Sequence, residues 1–71
     1  MQSSFMTLIL LCEKKGITTA GEAMQLAAQV THGNFVEMER IRAEARILKV
    51  HDGEELSAIK RRIQERKVIH W

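Results

Sequence analysis

The sequence predicts an all-α fold: one small bundle of four short helices that occupies residues 1–71 as a single domain. Three observations predict it. Polar residues with N-cap spacing recur along the chain, glycines follow apolar-periodic segments, and apolar residues repeat at helical intervals. A chain of 71 residues without proline has room for one domain only.

Three N-cap signatures mark where helices begin. In each, a short oxygen-bearing side chain precedes a glutamate by three residues, so the oxygen can accept from the backbone N–H that the helix leaves unpaired. The three pairs are Thr19 with Glu22, Asn34 with Glu37, and Asp52 with Glu55.

Glycines mark where helices end. Gly16 follows two lysines and Gly33 follows a histidine, and both positions suit a left-handed C-cap conformation. His51, Asp52 and Gly53 predict a further turn. The expected helices span 4–15, 20–32, 35–50 and 53–67.

Association of the chain with a second polypeptide is expected from its size. A core this small rarely supplies more than ~3–5 kcal/mol without a disulfide or a metal, and the sequence has one cysteine. The first helix is apolar in nearly every direction, and the third carries two apolar stripes, which implies two packing partners. We therefore expect an oligomer that self-associates through Phe5, Leu8, Ile9, Leu11, Met38, Ile41, Ala45 and Leu48.

Catalytic and metal-binding patterns are not found in the sequence. Cys12 lies within an apolar helix, where a small core hydrophobe is the simplest interpretation. His32, His51 and His70 stand far apart, without the clustered ligands that zinc requires. We expect a protein that is not an enzyme and uses no cofactor and no metal.

The location expected for the chain is the cytoplasm. The longest apolar run, 8–12, is far shorter than the ~20 residues of a membrane span, and no signal peptide is evident. The single thiol agrees with a reducing compartment.

The fourth helix is basic and ends near the only tryptophan. Arg61, Arg62, Arg66 and Trp71 are therefore candidate partner-binding residues, since arginine and tryptophan are favoured at interfaces. The alternative is a solvated cationic face, with Trp71 closing the chain's own core.

Two functions are compatible with the apolar and charged residues of the predicted helices. The first is a regulatory protein that binds another protein. The second is a helix-turn-helix DNA-binding regulator, in which 35–49 would be the recognition helix. Glu37 and Glu39 would then lie near phosphates, which repel them, so the protein-binding hypothesis is preferred and direct nucleic-acid binding is the alternative.

The layout resembles a known group of regulators. Phe5-Met6-Thr7-Leu8-Ile9 leads into Lys14-Lys15-Gly16, and Arg40-Ile41-Arg42-Ala43-Glu44-Ala45-Arg46 follows. In this it is similar to small regulatory proteins of temperate phages and prophages, of the antirepressor type. The resemblance implies a DNA-binding repressor as the protein partner, and it transfers no functional residues.

Overall fold

In the residues that the structure describes, four helices form one bundle, which confirms the predicted all-α fold class. The computed structural model describes residues 3–70, and its side chains over residues 3–65. The helices are α1 (Ser4–Lys14), α2 (Ala20–Val30), α3 (Phe35–Leu48) and α4 (Leu56–His70).

Helix α1 lies at the centre and packs against each of the other three helices. Its inward residues are buried, and α2 meets it through alanines, whose small side chains allow the two backbones to approach closely. Burial of these side chains is the main favourable term in folding. The core consists of Phe5, Leu8, Ile9, Cys12, Ala20, Ala23, Ala27, Met38, Ile41, Leu48, Leu56, Ile59 and Ile63.

The ends of α1 are fixed by local hydrogen bonds. The Ser3 hydroxyl accepts from the Met6 N–H and caps the first turn. At the other end Gly16 takes the predicted left-handed conformation, with φ at +76°. This conformation lets the Ile17 N–H donate to the Cys12 carbonyl at 3.0 Å and turns Ile17 back onto the core.

Replacing Gly16 with alanine is expected to lower the free energy of unfolding by about 1 kcal/mol, because a Cβ is strained at positive φ. Gly53→Ala is the matched control: Gly53 is not among the positive-φ glycines, and nothing lies within 4 Å of an added Cβ. Urea denaturation of both variants checks this. Equal stabilities would contradict the role assigned to Gly16.

The start of α2 is capped by backbone and not by the predicted capping box. The Thr19 hydroxyl donates to the Glu22 carboxylate and makes no bond to a helix N–H. Instead, the Gly21 N–H donates to the Asp52 carbonyl at 2.8 Å, and the Ala20 N–H donates to the Glu54 carbonyl at 3.0 Å. The sequence predicted that the Thr19 side chain would accept a hydrogen bond at the start of α2. Backbone carbonyls of the α3–α4 connection are the acceptors instead.

The predicted boundaries of all four helices need correction. Helix α1 ends at Lys14 and not at residue 15, α2 ends at Val30 and not at residue 32, and α4 ends at His70 and not at residue 67. Helix α3 ends at Leu48 and not at residue 50, because Lys49 takes a left-handed conformation with φ at 57°. Helix α4 begins at Leu56 and not at residue 53. In place of the predicted Asp52–Glu55 cap, the Glu54 carboxylate accepts from the His51 N–H and closes the turn. The cap predicted at Asn34 is confirmed, since its side chain accepts from the Glu37 N–H.

Within the part of the chain that the structure describes, no helix combines the length and apolar character that a membrane crossing requires.

Candidate protein-binding surface

The residues predicted to join two chains lie mainly inside one chain. Six of the eight are buried in the core of the monomer, so they are not available as a surface. The other two, Leu11 and Ala45, are half-buried. Self-association stays a prediction, but its surface must be formed by other residues. The six buried side chains are Phe5, Leu8, Ile9, Met38, Ile41 and Leu48.

The second apolar stripe that the sequence predicts on the third helix, Val36, Ala43, Ile47 and Val50, is only partly on the surface, because Val50 lies beyond the end of α3 and packs against the core. Val36, Arg40, Ala43 and Ile47 follow one another at steps of four, three and four, which places them on one side of the helix. We call these four residues the outer face of α3. Val36 lies two positions from Met38, and a two-residue step is a rotation of about 200°. The outer face therefore points away from the core.

Exposure of large apolar side chains is concentrated here. Val36 is 62% exposed and Ile47 is 59% exposed, and Phe35 beside the outer face is 71% exposed. Single apolar residues on a surface are ordinary, but a group on one helix face is typical of an interaction site.

Charges of both signs flank the outer face. Glu39 accepts from Arg42 at 3.3 Å, and a 4.0 Å contact joins Arg40 to Glu37. All four side chains are at least one-third exposed, and such pairs contribute little to stability because water competes for both charges. These side chains can therefore rearrange when another surface approaches.

A groove of about 400 Å³ continues from the C-terminal end of the outer face. Its lining includes Ile47, Lys49, His51, Glu54 and Arg62, and the last two form an ion pair. A partner seated on the outer face would bring its own groups close to this groove.

Arg62 has a structural role inside the chain. Its guanidinium donates to the Leu48 carbonyl at the end of α3 at 2.6 Å and also donates to the Glu54 carboxylate. Both acceptors belong to the same chain, and the prediction that Arg62 also binds a partner stays a prediction. Arg61 is exposed, and the Arg66 side chain and Trp71 lie outside the described residues.

The contact with Arg62 also sets the acidity of Glu54. The hydrogen bond from the guanidinium, with a smaller contribution from the His51 N–H, lowers the pKa of Glu54 below its ordinary value. Because the pKa of Glu54 is lower in the folded chain than in the unfolded chain, ionisation of Glu54 stabilises the fold above the unfolded pKa, near 4.3. This stabilisation is lost as the pH falls through the folded pKa.

Glu54→Gln is accordingly expected to lower the free energy of unfolding at pH 7. The difference in this free energy between the variant and wild type is expected to shrink as the pH falls below about 4. Unfolding free energies at neutral and acidic pH measure this difference. The exposed neighbour Glu55 offers the control Glu55→Gln. A difference for Glu54→Gln that stayed constant across the pH range would contradict the ion pair with Arg62.

Chemistry-bearing groups do not converge on a reactive site in the described residues. Cys12 is buried, and desolvation raises the pKa of its thiol, which opposes thiolate formation. No group of three or more histidine, cysteine or carboxylate residues is placed to hold a metal ion in this part of the chain. An open groove of about 320 Å³ is lined by α1, by the α2–α3 connection and by α3. The polar side chains that line it are those of Ser4, Thr7, Thr31, Asn34 and Glu37.

Glu44 has a role that sequence spacing did not indicate. Its carboxylate accepts from the backbone N–H groups of Ser4 and Phe5, each at 3.0 Å, and from the Ser3 hydroxyl. The contact joins α3 to the positive end of the α1 dipole. Ser3 and Glu44 are 41 positions apart, so no local signal could have found it.

Comparison of the chain with protein-family models, with curated proteins and with solved structures found no match.

Proposed function

We propose that this chain is a small cytoplasmic regulatory protein that acts by binding another protein through the outer face of α3. The observation that supports this most directly is the exposure of Val36 and Ile47 on the side of α3 opposite the core. A helix with two apolar faces has one face left to bury, and a protein surface is the partner that buries it.

The composition of the outer face agrees with this role. Apolar side chains at its two ends surround an arginine, and arginine beside aliphatic groups is common at protein interfaces. The resemblance to phage antirepressors implies a DNA-binding repressor as the partner, and we adopt that as the first candidate.

Direct DNA binding is supported less well by the geometry. At the start of α3, where a recognition helix would meet base edges, Phe35 and Val36 are the exposed residues. Arg40 and Arg42 each lie beside a glutamate of the same helix. A surface that neutralises phosphates needs cations without such acidic neighbours.

Site-specific photo-crosslinking in the native host tests the proposal. A benzophenone amino acid at Ala43, in the middle of the outer face, is expected to give a discrete adduct with a polypeptide. The same amino acid at Gln25, exposed on α2, is the control and is expected to give none. Mass spectrometry of the adduct identifies the polypeptide, and a repressor would support the antirepressor role.

Binding of the purified chain to mixed-sequence duplex DNA separates the two functions. We expect no binding even at low salt. Affinity for DNA that falls steeply as salt rises, together with the lack of any adduct at Ala43, would overturn the protein-binding proposal.

A further inference from the structure

Two copies of the outer face fit each other when the α3 helices run antiparallel. With a twofold axis midway between positions 41 and 42, residue i of one helix lies opposite residue 83 − i of the other, because the rise per residue is constant. Val36 then lies opposite Ile47 of the second copy. The long stem of Arg40 lies opposite Ala43 of the second copy, so a large side chain meets a small one.

Charges on one flank are complementary in this arrangement. Glu39 lies within two positions of the level of Arg46 of the second copy, an axial offset of about 3 Å. The twofold axis repeats this pair, so opposite charges meet at two places. Glu39 is free to turn toward this partner, since its contact with Arg42 is exposed and weak.

A parallel arrangement is less favourable for the same residues. It would place Arg40 directly against Arg40 of the second copy at the centre of the apolar seam, where desolvated like charges repel. An antiparallel pair also closes by a twofold axis, the commonest symmetry of soluble oligomers.

We infer that the outer face of α3 binds a second copy of the chain as an antiparallel pair, forming a homodimer in which Val36 packs on Ile47. The inference rests on the proposed function and narrows it, since the outer face then contacts a second copy of the chain and not a repressor. A repressor would bind the dimer at another surface, and Arg61 on α4 stays exposed for such a contact.

Sedimentation equilibrium from micromolar to millimolar concentration tests the dimer. The wild-type chain is expected to show a monomer–dimer equilibrium, and Val36→Glu is expected to weaken it by more than about a hundredfold, since two carboxylates would lose water at the seam. Val30→Glu is the matched control, because Val30 is exposed at the end of α2 and away from the outer face. It is expected to dimerise as wild type does. Circular dichroism confirms that both variants stay helical.

A charge exchange tests the antiparallel register. Glu39→Arg alone and Arg46→Glu alone are each expected to weaken the dimer about tenfold, since each creates two like-charge contacts. The double variant restores opposite charges and is expected to recover most of the loss. In a parallel pair Glu39 would lie near Arg40 of the second copy, so the double variant would keep the repulsion between two arginines at this position.

A wild-type chain that stays monomeric at millimolar concentration would overturn the inference. Unchanged dimerisation of Val36→Glu would do the same, and so would a double variant as weak as the single ones. The proposed function is judged separately by the crosslink at Ala43. An adduct with a different protein from a monomeric chain would support the function while overturning the dimer.

Discussion

Phe5→Ala is expected to lower the free energy of unfolding by about 3–5 kcal/mol. Phe5 has 0% of its surface exposed and is among the largest fully buried side chains in the described part of the chain. Its removal loses the transfer free energy of the ring and leaves a cavity in the core beside the first turn of α1. A domain of 71 residues has a total stability of about 4–10 kcal/mol, so a large fraction of the molecules would unfold.

Phe35→Ala makes the same chemical change on the surface. Phe35 is 71% exposed at the start of α3, and its replacement is expected to change stability by less than about 0.5 kcal/mol. Urea denaturation at low micromolar concentration, followed by circular dichroism, measures both variants without a contribution from association. If the two variants were equally destabilised, the assignment of inner and outer residues would be wrong.

The helices could be predicted because their signals are local. The Asn34 cap and the Gly16 turn each depend on residues within a few positions of each other, and both are confirmed. The end of α3 was predicted two residues too late. Lys49 has the left-handed backbone conformation in which glycine is usually found, and a lysine in the sequence does not predict that conformation.

The contacts that hold the helices together could not be predicted in this way. Glu44 reaches the start of α1, and the loop carbonyls of Asp52 and Glu54 cap α2, across 31 or more positions of sequence. Such contacts depend on how the helices are arranged in space. Each of these acceptors also satisfies N–H groups that a helix leaves unpaired.

The sequence predicted that α3 carries two apolar stripes, but it did not predict which of them forms the candidate surface. Two apolar stripes on α3 indicated two packing partners. In the structure α1 and α4 pack on that helix, and the stripe of Met38, Ile41 and Leu48 is buried, while Val36 and Ile47 of the other stripe stay exposed. Sequence alone did not show which stripe is inner, because Ile41 and Ile47 are the same residue type in similar surroundings. The structure separates them, with Ile41 in the core and Ile47 exposed.

Arg62→Ala is expected to lower the free energy of unfolding by about 1.5–3 kcal/mol, because a hydrogen bond that involves a charged group contributes about this much to stability. The variant loses the bond to the Leu48 carbonyl, which ends α3, and the bond to Glu54, which closes the turn before α4. The Glu54 carboxylate then remains at the α3–α4 connection without its partner. Thermal and urea denaturation measure the effect.

Arg61→Ala is the matched control, since Arg61 is the exposed neighbour on the same helix. It is expected to leave stability within about 0.5 kcal/mol of wild type. The comparison also separates folding from binding on α4. Loss of partner binding in Arg62→Ala, accompanied by lower stability, follows from a displaced α4, whereas loss of binding in Arg61→Ala at unchanged stability would place Arg61 in contact with the partner. Equal stability of the two variants would show that the bonds of Arg62 do not hold α3 and α4 together.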